Sequence, residues 1–282
     1  RNTYDLYRLL RDQLVETNQW EVYNTIDRPV VPIVASMEKY GTPVDMPAVL
    51  RSYREHVTIV AGLRAAVLEH YGFDIRTRKN VRALIKSQTG YDPGTTDKRI
   101  LSLNPAGYID LILEHSAYKT RGNNFLKALI MRWVAAGKPD DFRIYPRFNQ
   151  ASKDQDEGAA APKTGRFSSA DPNMQNQPVE LRDIYVPPDG YEFFAADYGA
   201  VELRVAAWLS QDPQMLAGLS EGRDLHSEFR EYIHQVTGKD VGRKSAKEGN
   251  FEQLFGGGAD TLQKLLAKKR SFLDIEGCQA IV

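Results

Sequence analysis

The chain has 282 residues, and its 37 Lys and Arg balance its 37 Asp and Glu, so the formal net charge is zero. No stretch approaches the ~18 apolar residues of a membrane span. The single cysteine, Cys278, excludes an intramolecular disulfide and a cysteine-based zinc site. We expect a protein of a reducing compartment. A neutral total does not exclude a polyanionic partner, because binding depends on local clusters of charge.

The first quarter of the chain predicts helices. Apolar residues recur at helical spacing over residues 4–23. A second helix is predicted from Val30 to Tyr40 because Gly41 and Pro43 follow it. A long helix is predicted over residues 46–71, where apolar side chains occupy one face and charges are scattered over the other.

Two basic clusters follow the long helix. Residues 76–82 read Arg-Thr-Arg-Lys-Asn-Val-Arg. The second cluster consists of Lys119, Arg121, Asn123, Asn124 and Lys127. The first is typical either of a solvated helix–loop–helix surface or of a surface that contacts nucleic-acid phosphates through charge alone. The sequence leaves both interpretations open.

The central part predicts strands and a polar loop. Residues 142–148 mix aromatic and branched side chains and predict a strand, whereas residues 164–176 are rich in short polar side chains and predict a loop. Residues 191–196 predict a short buried strand that ends at Asp197. A carboxylate there suits Mg²⁺, but it equally suits the cap of the next helix. The apolar face of that helix is predicted to consist of Val201, Val205, Trp208 and Leu209.

The stretch from Arg243 to Gly258 combines cations, rings and a glycine triplet. Arg243, Lys247, Phe251 and Phe255 recur at every fourth position, which on a helix drifts by roughly 40° per step and forms one slowly winding stripe. The glycines predict the end of the helix. Two cations followed by two aromatic rings suit the binding of a nucleotide, which has charged phosphates and a flat base. The same pattern is equally typical of an ordinary amphipathic helix with its Phe side chains in the core and its cations in solvent. Upstream, His226 begins another predicted helix and, taken alone, is expected at the surface.

Three segments, in this order, resemble motifs of the family A DNA polymerases, the group of DNA polymerase I and its phage relatives. The first is Thr164-Gly165-Arg166-Phe167-Ser168-Ser169 with Asp171-Pro172-Asn173-Met174-Gln175-Asn176. The second is similar to motif A and reads Asp197-Tyr198-Gly199-Ala200-Val201-Glu202-Leu203-Arg204. The third, the Arg243–Gly258 stretch, is similar to motif B on the O helix of the fingers. Weaker similarity covers nearly the whole chain.

The resemblance implies a mostly helical α/β chain with the right-hand polymerase fold, comprising a thumb and parts of the palm and fingers. Residues 1–26 would be the remnant of a 3′–5′ exonuclease-like domain. Residues 27–142 would form the thumb, 143–209 part of the palm with motif A, and 210–282 part of the fingers with the O helix.

The resemblance also implies roles at the reaction centre. Asp197 and the backbone carbonyl of Tyr198 would bind Mg²⁺, of which the complete enzyme uses two ions. Glu202 would be the steric gate that disfavours a ribose 2′-OH. Arg243 and Lys247 would act with Asp197 in catalysis.

The remaining implied contacts are with the dNTP and with primer–template DNA. The triphosphate would be held by His226, Arg243 and Lys247, and the base and sugar would pack on Phe251 and Phe255. The minor groove and backbone of the DNA would be contacted by Arg166, Asn173, Gln175 and Asn176. Duplex phosphates would be contacted by Lys119 and Arg121.

The implied activity is template-directed joining of dNTPs to a primer 3′-OH. Phe255 departs from the Tyr of many relatives, and Gly199-Ala200 replaces the usual Ser-Gln. Both ends look cut from a longer protein, and the His-Asp-Glu motif C does not follow the O helix. We therefore expect this polypeptide to be inactive alone and to need a further C-terminal palm segment, with a processivity partner as another possibility. The alternatives are a non-catalytic primer–template-binding fragment or subunit, and a single-subunit RNA polymerase, against which Glu202 argues.

Overall fold

The computed structural model describes residues 2–102, 104, 106–150, 165–268, 271 and 273–282, and these are mostly helical. The α-helices are α1 (Asn2–Glu16), α2 (Trp20–Val22), α3 (Arg28–Tyr40), α4 (Met46–Tyr71), α5 (Arg78–Thr89), α6 (Lys98–Leu101), α7 (Gly107–Thr120), α8 (Lys127–Ala135), α9 (Val201–Ser210), α10 (Pro213–Ser220), α11 (Leu225–Thr237), α12 (Arg243–Leu254), α13 (Ala259–Lys268) and α14 (Ile275–Ile281). The strands are β1 (Thr42–Pro43), β2 (Arg143–Ile144), β3 (Arg147–Asn149) and β4 (Ser168–Ala170). Within these ranges no helix is both long and apolar enough to cross a membrane.

The chain forms two compact units. The first comprises Arg1–Glu55 and Arg121–Phe194, and the second comprises His56–Thr120 and Ala195–Val282. The division falls within α4, so that helix contributes residues to both. The domain boundaries predicted at residues 27, 143 and 210 stay predictions.

Two of the three predicted N-terminal helices are confirmed closely. The long helix is α4 with the predicted bounds, and the helix predicted from Val30 is α3, which begins two residues earlier. Gly41 ends α3 with a positive φ of 68°. A Cβ at Gly41 would lie 2.7 Å from the carbonyl oxygen of Ile144, so the close approach of β2 requires glycine.

The first predicted helix is divided. Helix α1 ends at Glu16, and Asn18 adopts a left-handed φ of 56° that stops it. After this break α2 follows, and a π-helical turn over Tyr23–Asp27 leads into α3.

The strands of the first unit form two antiparallel pairs. In one, Thr42 of β1 lies opposite Ile144 of β2, and in the other, Phe148 of β3 lies opposite Ser169 of β4. The strand predicted over residues 142–148 is therefore confirmed in two pieces, separated at Pro146, which has no N–H to donate.

Each unit has its own hydrophobic core. The core of the first unit is formed by Val44, Met46, Val49, Leu126, Leu129, Phe142, Ile144, Leu181 and Ile184. The second unit has two clusters. One joins α4, α5 and α7 through Val67, Leu84, Ile109 and Ile112. The other joins α11 to α14 and comprises Ile233, Val241, Ala246, Leu262, Leu266, Leu273, Cys278 and Ile281. This last cluster includes Ala246 of α12, the helix on which the candidate site is built.

Candidate nucleotide-binding site

The candidate site is built on α12, which buries one face and exposes the other. Ser245, Ala246 and Gly249 form the buried face, and their small side chains let α11 and α13 approach closely. A Cβ at Gly249 would lie 3.0 Å from Leu262 Cδ1, which shows how tight this packing is. The helix ends where Gly256 adopts a left-handed φ of 80°. The predicted helix and its glycine stop are confirmed.

The predicted stripe lies on the outer side of α12. Arg243 and Lys247 are exposed and Phe251 is half-buried, with the Lys247 Nζ 5.7 Å from the centre of the Phe251 ring. Phe255 stands at the C-cap and is 76% exposed. Because the Phe side chains are not in the core, the structure argues against the ordinary amphipathic-helix interpretation.

His226 lies against this stripe from α11. Its ring centre is 5.3 Å from that of Phe251, and its Nδ1 is 3.5 Å from the Nδ2 of Asn250. His226 is only 5% exposed, so the surface position expected from its local sequence is wrong. Burial, reinforced by the charge of Lys247, lowers the pKa of His226. The packing of α11 on α12 buries this residue, and such a long-range contact leaves no signal in the local sequence.

Asp224 joins the start of α11 to the start of α12. Its Oδ1 accepts a hydrogen bond from the His226 backbone N at 3.2 Å, and its Oδ2 accepts from the Arg243 Nε at 2.5 Å. The bond from Arg243, followed by one from Ser227, holds the pKa of Asp224 far below its usual range, and the same pair raises the pKa of Arg243. The sequence did not predict this contact, because 19 residues separate its partners.

The segment around Asp197 differs from its prediction. Residues 191–198 have no regular secondary structure, and Phe194 is 92% exposed, so the predicted buried strand is wrong. No described strand pairs with it, and a strand without a partner leaves its backbone groups unsatisfied and its side chains uncovered. Asp197 does not cap α9 either, because Ala200 is the N-cap residue.

Helix α9 buries a different face from the one predicted. Its buried residues are Leu203 and Ala207, whereas Trp208 and Leu209 are 68% and 69% exposed. Val201 and Val205 are also exposed. Glu202 is half-buried in the first turn of α9. Within the described ranges, no group of three or more His, Cys, Asp and Glu side chains could hold a metal ion.

The polar loop of the first unit is held by its own side chains. Asn173 Oδ1 accepts hydrogen bonds from the backbone N of Gln175 at 3.0 Å and of Asn176 at 3.2 Å, and Gln175 Nε2 donates to the Phe167 carbonyl at 2.8 Å. Arg166, Asn173, Gln175 and Asn176 are all exposed. Thr164 lies outside the described residues. The predicted loop is confirmed except over Ser168–Ala170, which form β4, and its contacts with DNA stay a prediction.

The predicted thumb residues have protein partners in their own units. Lys119 is exposed at the end of α7, and its Nζ is 3.4 Å from the Arg76 carbonyl. The Arg121 Nη1 lies 3.0 Å from Glu180 Oε1 in the first unit, and the Arg121 side chain is only 17% exposed. A DNA phosphate at Arg121 would have to compete with that carboxylate.

The basic segment 76–82 is partly structural. Arg82 forms a bidentate pair with Asp92 at 2.8 and 2.6 Å and lowers the pKa of that carboxyl to about 2. Arg78 and Arg82 line an open cavity of about 400 Å³ together with Gly94, Thr95, Thr96 and Asp97. Arg82 and Arg76, whose Nε lies 2.7 Å from Asp74 Oδ2, are therefore paired within the fold, while Arg78 and Lys79 are exposed.

Comparison with known proteins decides the family. The model of DNA polymerase family A matches residues 66–272, which is more than half of the chain and includes α9, α11 and α12. The chain belongs to DNA polymerase family A. The resemblance carried by the three sequence motifs is thereby confirmed.

Curated relatives in family A are bacterial DNA polymerases I. DNA polymerase I of Caldicellulosiruptor bescii is 28% identical over 268 residues, covering 86% of this chain and 30% of the relative. The thermostable DNA polymerase I of Thermus aquaticus is 28% identical over 264 residues, covering 87% of this chain and 31% of the relative. The chain thus spans about a third of the length of these family A proteins.

A solved structure supports the fold of this family A chain. It is the POL domain of Pol1 from M. smegmatis in complex with a DNA primer-template and dNTP. The TM-score is 0.74 at 23% identity, and the match covers 99% of this chain and 50% of the other. Together with the mostly helical structure, this confirms the predicted polymerase fold.

Proposed function

We propose that this chain carries the nucleotide-binding part of a template-directed DNA polymerase, which joins dNTPs to a primer 3′-OH. The observation that carries the proposal is the cluster on α11 and α12: two exposed cations, Arg243 and Lys247, followed along the same face by Phe251, with His226 packed beside it. The cluster offers charge to a triphosphate and ring surface to a nucleoside.

The start of α12 is unusually attractive to anions. A helix N-terminus carries partial positive charge, which makes cations unfavourable there unless an anion binds. Arg243 nevertheless occupies the first position, and Lys247 follows one turn later. The N-cap, Gly242, offers no side-chain hydrogen bond to the first backbone N–H groups. Phosphate oxygens could accept from these groups and from the side chains together.

The aromatic part of the cluster suits the nucleoside. Phe251 is half-buried, and its ring lies beside that of His226, so part of its surface remains accessible to a ligand. The Lys247 ammonium lies 5.7 Å from the centre of this ring, which attracts it, so the charge lies next to the ring proposed to hold the nucleoside. We propose that Phe251 packs against the sugar and base, with Phe255 beyond it.

Asp197 and the carbonyl oxygen of Tyr198 are hard oxygen donors of the kind that Mg²⁺ prefers. Asp197 is exposed, and in the described part of the chain its carboxylate accepts no hydrogen bond. Mg²⁺ is commonly bound by one or two carboxylates plus substrate phosphates, so this donor set fits an ion bound jointly with a dNTP. When bound, the ion would stabilise charge on the reacting phosphate oxygens.

The same proposal assigns a DNA surface to the polar loop and to Lys119. The amides of Asn173, Gln175 and Asn176 and the guanidinium of Arg166 can contact a duplex without demanding a sequence. Lys119 and Arg121 would contact phosphates, Arg121 only by exchanging Glu180 for them. The solved relative from M. smegmatis holds primer-template and dNTP, which supports this assignment. As the named relatives are bacterial, we also propose a cytoplasmic location.

The direct test is binding of dATP with Mg²⁺ to the purified protein, measured by calorimetry. We expect Lys247→Ala to lower the affinity about tenfold, as for loss of a charge-assisted contact. Lys244→Ala is the matched control, because Lys244 is an exposed cation on the same helix but off the stripe. Equal losses in both variants would mean that general charge, not the stripe, binds the nucleotide.

Primer extension separates the polymerase from its alternatives. Salt-sensitive primer–template binding with extension supports the polymerase, whereas binding without extension supports a non-catalytic binding fragment or subunit. Glu202→Ala tests the RNA polymerase alternative, since loss of the proposed gate should increase ribonucleotide use. Unchanged rejection of ribonucleotides would refute the role of Glu202.

A further inference from the structure

We propose that Asp224 is a positioning residue that orients the Arg243 guanidinium toward the triphosphate of the bound nucleotide. This inference rests on the proposed function of the α11–α12 cluster. It goes beyond it by assigning a role to an acidic side chain, which by charge alone would oppose an anionic ligand.

The carboxylate of Asp224 is itself fixed at the start of α11. Its Oδ1 accepts from the backbone N of His226 at 3.2 Å, and its Oδ2 accepts from the hydroxyl of Ser227 at 2.6 Å. It therefore caps the helix that places His226 against Phe251. A carboxylate held by two bonds within its own helical turn loses little further freedom when a third group binds it.

That third group is Arg243, the first residue of α12. Its Nε donates a hydrogen bond to Asp224 Oδ2 at 2.5 Å. Among the described residues, Asp224 is the carboxylate that forms an ion pair with this guanidinium. A guanidinium is planar with five N–H donors in a rigid fork, so a bond at Nε restricts the orientation of the whole group. The four donors on the two Nη nitrogens remain for phosphate oxygens.

An ordinary surface ion pair would not have this consequence. Exposed pairs contribute little, largely because two mobile side chains must be ordered together. Here Asp224 is ordered by its capping bonds, and 56% of the Arg243 side chain remains exposed. One carboxylate thus ties together the first turn of α11 and the first residue of α12, and with them His226 and Arg243.

Two variants separate pairing from capping. In Asp224→Ser the hydroxyl can still cap α11, but it is one bond shorter and cannot reach Arg243. In Asp224→Asn the amide oxygen can still cap α11, but the amide nitrogen only donates and cannot accept from the Arg243 Nε. We expect the affinity for dATP to fall about fivefold in both variants, with far-UV circular dichroism unchanged.

The discriminating measurement is a double-mutant cycle with Arg243→Ala, read with dATP and with dAMP. Positioning predicts that Asp224→Ser adds no loss for dATP once Arg243 is Ala, and that dAMP affinity is insensitive to either change. Tighter dATP binding in Asp224→Ser would show that the carboxylate competes with the ligand, and would overturn the inference. So would an equal loss for dAMP, which indicates a purely structural role. If the unaltered protein binds no dATP at all, the proposed function fails first.

Discussion

The α11–α12 pair and the segment around Asp197 carry residues of the same proposed reaction, yet they are folded to different degrees. In the pair, His226 is buried, Asp224 and Arg243 are joined, and α12 packs on small side chains. Around Asp197 the backbone is irregular, and the large side chains before and after it are exposed. The proposed nucleotide-binding groups are thus held by contacts within the second unit, whereas the proposed metal ligand has no such support in the described residues. The following predictions test this contrast, beginning with the largest effect.

Leucine truncation should separate the two regions most strongly. Leu262 on α13 is fully buried beneath α12, whereas Leu209 on α9 is 69% exposed. We expect Leu262→Ala to lower the free energy of unfolding by about 3 kcal/mol through the cavity that it leaves. Leu209→Ala should change it by less than about 0.5 kcal/mol. Urea denaturation followed by circular dichroism measures both, and similar losses would contradict the contrast.

Glycine substitution probes backbone packing instead of side-chain burial. At Gly249 a Cβ would meet Leu262 at 3.0 Å and Phe229 at 3.4 Å, whereas at Gly199 it would meet no atom within 4 Å. Neither glycine has a positive φ. Gly249→Val should therefore destabilise the protein by about 2 kcal/mol through overpacking, while Gly199→Val should be nearly neutral. The same denaturation experiment applies, and a costly Gly199→Val would indicate order that the structure does not show.

The contrast also explains how far sequence could predict this molecule. Helices α4 and α12 were predicted closely because their signals are local: periodic apolar residues and a stopping glycine. The strand at 191–196 was predicted from its composition, but a strand forms only when a partner binds its edge, and composition does not supply one. The burial of His226 and its link through Asp224 depend on how α11 packs on α12. Motif resemblance predicts that His226 and Arg243 are site residues, but it could not give their contacts.

Two aspartates near helix starts should behave differently. Asp212 caps α10 by accepting from the backbone N of Gln214 and of Met215, both at 2.9 Å. Asp212→Ala should therefore reduce the free energy of unfolding by about 1 kcal/mol. Asp197→Ala should leave stability within about 0.5 kcal/mol, because Asp197 caps no helix. If Asp197 binds Mg²⁺ as proposed, its replacement should instead make dATP binding insensitive to EDTA. A stability loss equal to that of Asp212→Ala would reassign Asp197 to the fold.

The smallest expected effect is a pH dependence from His226. Burial and the charge of Lys247 lower its pKa in the folded protein, with Arg243 adding to this and Asp224 opposing it. The unfolded chain therefore binds a proton near pH 6.5 that the folded protein does not yet accept. Stability should be full above pH 6.5 and should decline as the pH falls from there toward the lowered pKa. His226→Gln should flatten this decline between pH 7.5 and 5.5. His115 will contribute a similar slope, since burial also lowers its pKa, so His115→Gln is the matched control.

If the packed α11–α12 pair is what buries His226, opening it with Gly249→Val should reduce the His226 contribution as well, because a hydrated histidine regains its ordinary pKa. A slope that survives Gly249→Val but disappears in His226→Gln would mean that the charge of Lys247, not packing, sets the pKa of His226.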